Sequence, residues 1–354
     1  MERHNLIYLC VVPVRNEGPF LLEWLAHYLG AGVTDFLFFS NDCEDGTDEI
    51  LNILADQGLI THIPISAVGD QSIQWQALKT AWKHPLRKKA DWMMVLDADE
   101  MINIHTKGHT LDDLIAAVPA DTDAIAMPWR LFGNNQRVFF EDILATESFT
   151  TSMPASENHP FTDVFFKTLF RPSGPFNQLG IHRPKQKKDQ TPNWVDGSGA
   201  KMHEHVSTNP KQLTLFGQEL HTKNPGRDLV ELNHYSVRSA ENFMVKRARG
   251  LPNRSHKNID LAYWSGRNFN TELNNSINKM AANTAPHLAT LKAIPGLSEA
   301  HEHAVAWHKQ KFQSLMRNKA EFQLFKQVLI AGDSTILPRK IVRRLAQMYQ
   351  SIDR

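Results

Sequence analysis

The stretch "DWMMVLDADEM", residues 91–101, sets the problem for the whole chain. Trp92 to Leu96 form an apolar run that reads as a buried strand, and Asp97, Asp99 and Glu100 follow it at once. Three carboxylates at one strand end repel each other unless something positive stands among them. The identity of that cation, and of whatever it holds, decides what the crevice does.

Upstream of this strand, strand-like and helix-like segments alternate. "LIYLCVVPV" (6–14) is a continuous, mostly apolar run, followed by a helix in which Phe20, Leu21, Trp24, Leu25 and Tyr28 recur at helical spacing. Pro19 suits its first turn, and Gly30 and Gly32 end it. "DFLFFS" (35–40) and "LITHIPI" (59–65) read as further strands. "DEILNILADQG" and "QSIQWQALKTAWKH" read as helices. Regular strand–helix alternation predicts an α/β fold with a mainly parallel sheet covered on both faces. Ligands of such sheets lie outside the carboxyl ends of the strands. Those ends carry Arg15-Asn16-Glu17, Asn41-Asp42 and Asp97-Ala98-Asp99. Every polar cluster falls where the expected crevice lies.

Beyond residue 120 the pattern loosens into strands such as "DAIAMPWRLFG" and "DVFFKTLFRP", joined by long loops rich in Asn, Pro and Ser. After about residue 239 it turns helical, most clearly in "SAENFMVKRARG". The tail "LPRKIVRRLAQMYQSIDR" (337–354) reads as a basic amphipathic helix.

Composition narrows the classes. The chain has 354 residues, with 39 Lys and Arg against 38 Asp and Glu, so no global field draws in nucleic acid. The only cysteines, Cys10 and Cys43, exclude a disulfide framework and imply a reducing compartment. No run approaches the ~20 apolar residues that span a bilayer, so a cytoplasmic protein is expected.

Hard oxygen ligands favour Mg²⁺ or Mn²⁺, and Mg²⁺ usually takes one or two carboxylates plus substrate phosphates. Asp-x-Asp at a strand end therefore fits a metal–diphosphate site, although acidic residues that cap a helix or face water read the same way. A Walker-B strand needs G-x-x-x-x-G-K-[ST] upstream, which the chain lacks. A phosphatase of the haloacid-dehalogenase type places Asp-x-Asp-x-Thr in its first strand, whereas Met101 follows Glu100 here in the fourth.

The remaining candidate is a nucleotide-sugar glycosyltransferase. "VVPVRNEGPFLLEWLAHYLGAGVTDFLFFSNDCEDGT", "DWMMVLDADE", "WRLFG", "FKTLFRP", "IHRP" and "LNHYSVRSAENFMVK" carry the resemblance. Over about residues 5–250 the chain resembles a family 2-type glycosyltransferase of the GT-A fold, in the branch close to glycosyltransferase family 92. The first two motifs are specific, and the later ones mean little alone.

The resemblance implies roles. Pro13, Arg15 and Glu17 would line the first part of a nucleotide pocket, and Asn41, Asp42 and Asp45 the second, with Gln71 and Trp75 alongside. Asn41, Asp42 and Asp45 also suit a turn and helix cap. Asp99 would ligate the metal and Asp97 the ribose or a metal-bound water, with Glu100 orienting them. His234, the one histidine of 17 singled out, would complete the metal sphere. His203 and His205 of "HEH" read as a surface strand pair. Lys167, Arg171, Arg238 and Lys246 are candidate cations for the developing diphosphate charge. Glu147, with Asp163 as the alternative, would remove the acceptor's proton. Trp129 would stack on the acceptor, and His182 would lie near it.

The expectation is then a metal-dependent, inverting glycosyltransferase using Mn²⁺ or Mg²⁺. It would move a hexose from a nucleotide sugar, a UDP-hexose, to a carbohydrate or lipid-linked acceptor. Residues 1–240 would form the GT-A domain, with 1–100 as its nucleotide-binding half and 101–240 as its acceptor half. Residues 241–354 would be a helical extension whose last turns, 337–354, can touch a membrane surface. The rivals are a nucleotidyltransferase of the same fold, for which "RNEGPF" has too little glycine, and a catalytically silent carbohydrate-binding protein.

Overall fold

A computed structural model describes residues 5–66, 72–154, 165–209, 226–250 and 259–352. Gln71 and Asp163 lie outside the described residues. The sheet is built from β1 (Tyr8–Val14), β2 (Asp35–Ser40), β3 (Thr61–Pro64), β4 (Trp92–Val95), β5 (Glu100–Ile104), β6 (Ala124–Leu131), β7 (Phe166–Phe170), β8 (Trp194–Val195) and β9 (Val230–His234). Its order is β3-β2-β1-β4-β7-β6-β9-β5, with β8 on β6. β1 is parallel to both β2 and β4, and β9 is parallel to β6. β7 runs antiparallel to its neighbours β4 and β6. The result is the mixed, mostly parallel α/β architecture expected.

β1 shows why the central strands read as unbroken apolar runs. Tyr8, Cys10, Val12 and Val14 enter one core, and Leu9 and Val11 enter the core on the opposite face. On the first face lie α1 (Gly18–Gly30) and α2 (Thr47–Asp56); on the second lies α3 (Ile73–Lys83), through Ala77, Leu78 and Ala81. Trp75 of α3 is partly buried against that second core, as an ordinary amphipathic helix requires.

α1 is also fastened to the strand that follows the carboxylates. Trp24 Nε1 and Tyr28 Oη donate to the Glu100 carbonyl at 2.9 and 3.0 Å. His27 Nε2 meets the Ile102 carbonyl at 2.6 Å, and burial pushes its imidazole down to about 4.

The later helices are α4 (Ala145–Ser148), α5 (Ala240–Arg249), α6 (Ala281–Lys292), α7 (Leu297–Leu315), α8 (Lys319–Ala331) and α9 (Arg339–Ile352). α6 and α7 share the first core: Leu291, Leu297, Ala300 and Ala304 pack with Val12, Trp24 and Ile102. A Cβ on Gly18 would sit 2.6 Å from Ala304 Cβ, so the start of α1 tolerates nothing larger there. Part of the region expected as an extension, from Ile277 to Ala304, is therefore packed into the sheet's own core, while α5 and α8 share a separate cluster. The "HEH" segment is no strand; Glu204–Thr208 is a short helix with His203 just before it. No helix of the described residues is long and apolar enough to cross a membrane.

Candidate active site

The ends of β1 and β9 meet at a crevice bordered by Glu17, Phe20, Tyr235, Arg238, Lys246 and Arg249. The first strand end supplies Arg15, Asn16 and Glu17. Glu17 is buried and bridges two guanidiniums: Arg238 Nη1 donates to its Oε2 at 3.2 Å, and Arg249 pairs with its Oε1. Arg249 also donates to the Arg15 carbonyl at 2.6 Å, while Arg15 Nη1 donates to the Arg249 carbonyl at 3.3 Å. Arg238 reaches the Ala98 carbonyl at 3.0 Å and lies 3.4 Å over the Phe20 ring. A single arginine thus joins the first strand end to the Asp97–Asp99 turn. Pro13 is half-buried near the end of β1.

The second strand end is partly structural. Asn41 is buried, and its amide donates to Asp42 at 3.3 Å; Asp42 is exposed, with φ of 44°. Asp45 is 1% exposed, and both its oxygens are spent. They accept from Gly18 N and Thr47 N, each at 2.9 Å, which ties the start of α1 to the start of α2. The nucleotide-binding role expected of Asp45 is corrected to this double cap, because the carboxylate is buried and each of its oxygens already accepts a backbone N–H.

At the third strand end the cations among the carboxylates are lysines. Lys167, with a fully buried side chain, sits 2.9 Å from Asp97 Oδ2 and 3.3 Å from Glu100 Oε2. Lys246 Nζ lies 2.5 Å from Asp99 Oδ2, and His234 Nε2 is 3.5 Å from the same oxygen. Burial alone pushes the Asp99 carboxyl up, but Lys246 and then His234 hold it well below the usual carboxylate range. Burial raises Glu100 to about 8 against the pull of Lys167. Lys167 is therefore corrected from a diphosphate cation to the counterion of Asp97 and Glu100. Arg171 is also corrected: it stacks 4.4 Å over Trp92, at the opposite end of β4 from the carboxylates.

Strand register brings His234 to this place. It pairs across from Glu100 in the β9–β5 ladder and from Leu131 in the β9–β6 ladder. The Tyr235 amide then donates to the Asp99 carbonyl at 2.8 Å. Trp129 donates its indole N–H to Glu100 Oε1 at 2.7 Å, and its ring lies 4.2 Å from that of His234. His182 closes the other side at 5.4 Å, with its Nδ1 3.0 Å from the Phe166 carbonyl and its pKa lowered by burial to about 4. Trp129 is only 7% exposed, so the expected open stacking platform is corrected to a buried post that steadies His234.

Glu147 stands exposed on α4. That helix is held by a carboxylate the sequence did not single out. Buried Glu23 accepts from Ala145 N at 2.6 Å, Thr146 N at 3.0 Å and Thr146 Oγ1 at 2.8 Å. Arg249 was missed as well; its signal is the spacing of Lys246 and Arg249, one helical turn apart in α5.

Two carboxylates and an imidazole are a donor set suited to Mn²⁺ or Mg²⁺, and the buried His234 Nδ1 has no hydrogen-bond partner. The donor types fit a cation. Their present arrangement is built around Lys246, and among the described residues no three acidic, His or Cys groups stand as a ready metal set.

The sequence profile of glycosyltransferase family 92 matches residues 6–263. A glycosyltransferase family 92 protein of Oryza sativa subsp. japonica is 25% identical over 171 residues, 46% of this chain and 27% of that protein. The match thus spans about a quarter of that relative's length. Among solved structures, Staphylococcus aureus TarS 1-349 in complex with UDP aligns at 14% identity over 88% of this chain and 92% of that one, with a TM-score of 0.34. HddC from Yersinia pseudotuberculosis aligns at 10% identity over 54% of this chain and 89% of that one, with a TM-score of 0.31. With the family profile covering every strand of the sheet and the site residues from Arg15 to Arg249, the chain belongs to glycosyltransferase family 92.

Proposed function

We propose that this protein transfers a hexose from a nucleoside diphosphate sugar, a UDP-sugar, to a carbohydrate or lipid-linked acceptor with inversion. One observation carries the reading. Lys246, which lines the crevice, pairs with Asp99, and Arg238 joins Glu17 to the Asp97–Asp99 turn, so cations and carboxylates meet at the carboxyl ends of β1 and β4. Such a site holds a charged leaving group: the cations meet the diphosphate, and the carboxylates meet ribose hydroxyls or a metal.

Asp99, Asp97 and His234 would hold Mn²⁺ or Mg²⁺, which supplies charge neutralisation at the diphosphate when bound. The chain's own residues do the rest. Lys246, released from Asp99 when that carboxylate is engaged elsewhere, reaches the leaving phosphate from α5. Arg238 and Arg249 keep Glu17 and the Asp97–Asp99 turn in register and contribute positive potential. Trp129 and Glu100 exclude water behind His234. Glu147, or Asp163, accepts the proton of the attacking hydroxyl.

α9 supports placing the acceptor at a membrane. Ile341 and Met348 are 47% and 56% exposed, and Lys340 and Arg344 are exposed on the same helix. The deciding assay incubates the pure protein with a panel of nucleotide sugars and Mn²⁺ and follows release of the nucleotide. Hydrolysis of one UDP-sugar above all others is expected; no turnover of any donor overturns the proposal.

A further inference from the structure

The two sides of α8 differ sharply. Phe325 and Val328 are buried in the cluster that also holds Phe243 and Met244 of α5. On the other side Phe322, Lys326, Leu329 and Ile330 recur at i, i+4, i+7 and i+8, one stripe down the helix, and all four are exposed. Ile330 keeps 80% of its surface in water. Of the eight large apolar side chains exposed among the described residues, five stand on α8 and α9: these three, Ile341 and Met348. Single exposed apolar residues are ordinary, but a concentration on two successive helices marks a contact surface.

We infer that α8 is a membrane anchor: its Phe322, Leu329 and Ile330 enter the interface of an anionic leaflet while the cations of α8 and α9 meet the lipid headgroups. The inference rests on the reading of a membrane-borne acceptor and extends it to a second helix. Charge selects the occupant. From Arg317 to Ile352 the chain has seven lysines and arginines against two acids, Glu321 and Asp333. Both acids are engaged within the protein. Glu321 accepts from Arg247 Nε at 3.0 Å, and Asp333 accepts from Gln136 Nε2 at 2.8 Å and Asn270 Nδ2 at 2.7 Å. Arg317, Lys319, Lys326, Lys340 and Arg344 are exposed. Apolar side chains interleaved with cations match a surface that is anionic at its headgroups and apolar beneath. A second copy of the chain matches less well, because a two-fold contact through the stripe brings Lys326, in its middle, towards like charge.

Position agrees with that occupant. α5 presents Lys246 to the crevice and Arg247 to Glu321 of α8. Packed helices lie about 8–10 Å apart, so a leaflet against α8 is one helix away from the crevice. A lipid-linked acceptor then reaches the site without leaving the surface.

The test sediments the full chain at low salt with vesicles rich in phosphatidylglycerol and with vesicles of phosphatidylcholine. Binding to the anionic vesicles alone is expected, weakened about tenfold or more in Leu329→Ser/Ile330→Ser, which removes apolar area from the contact. Ile330→Trp should bind at least as tightly as the wild type, because Trp favours the membrane interface. The thermal midpoint should stay unchanged in both variants, since the side chains are exposed. Undiminished binding in the double variant overturns the anchor, even where removal of 337–354 abolishes binding. Binding of the wild type to neither vesicle overturns it too, as does a dimer in solution that the double variant dissociates. Donor turnover, measured without vesicles, reports separately on the glycosyltransferase reading.

Discussion

Lys246 occupies Asp99: its ammonium lies 2.5 Å from Oδ2, the same oxygen that His234 faces at 3.5 Å. A carboxylate already neutralised in this way presents its charge to a metal only by exchanging one cation for another. The nucleotide supplies the reason for exchange, since its diphosphate offers Lys246 a new partner. UDP affinity should therefore tighten about tenfold or more when Mn²⁺ is added, a difference of ~1.4 kcal/mol. The gain should vanish in Asp99→Ala. Calorimetry showing equal UDP binding with and without Mn²⁺ in the wild type would remove the metal from this site.

Lys167 tests the buried pair. Its side chain is fully enclosed between Asp97 and Glu100, and Glu100 is itself 0% exposed. Without Lys167, Glu100 takes up a proton and part-exposed Asp97 loses a charge-assisted hydrogen bond, a cost of roughly 1.5–3 kcal/mol. Lys167→Met should lower the urea midpoint accordingly with little change in m-value. A loss below about 1 kcal/mol would show the pair to be no tighter than a surface bridge.

Glu147→Gln should leave UDP affinity intact while transfer falls by ~10²-fold or more, as expected when a general base is lost. Comparison of donor binding with turnover in the same preparation separates the two effects. Full activity would pass the role to Asp163 or to another group.

His308 should make stability depend on pH. Its Nε2 lies 3.0 Å from the Asn242 amide, and Phe20, Phe140, Arg238, Arg249 and Lys309 surround it. Burial, then the nearby arginines and Lys309, push its pKa down to about 3. Between that value and the ordinary histidine range the unfolded chain binds the extra proton, so stability falls as pH drops below about 6.5. By pH 5 the loss from this one group amounts to about 2 kcal/mol. Chemical denaturation of His308→Gln at pH 7 and pH 5 should show a decline smaller by that amount. An identical decline in both proteins would place the titration elsewhere.

The tail gives the last test. With each Lys or Arg near an anionic surface worth ~1 kcal/mol, vesicles rich in phosphatidylglycerol should sediment the full chain at low salt. Neutral vesicles should not, and removal of 337–354 should abolish binding. Absence of binding at low salt would leave α9 an ordinary surface helix.

Much of this protein was legible in the sequence because its signals are local. The apolar runs 6–14, 35–40 and 92–96 announced strands buried on both faces, and the polar residues after them marked the crevice, since both follow from the alternation of elements. Asp97 and Asp99 were legible for the same reason. What answers the carboxylates was not. Lys167, His234 and Lys246 reach that strand end through the pairing of β7 with β4, of β9 with β5, and the packing of α5, and no local pattern encodes those registers. Asp45 and Trp129 show the limit from the other side. Their sequence settings fit nucleotide and acceptor roles, yet packing made one a helix cap and the other a buried post. Glu23 and Arg249 went unread because each is one charged residue on an amphipathic helix, and only the fold determines whether such a side chain meets water or a partner.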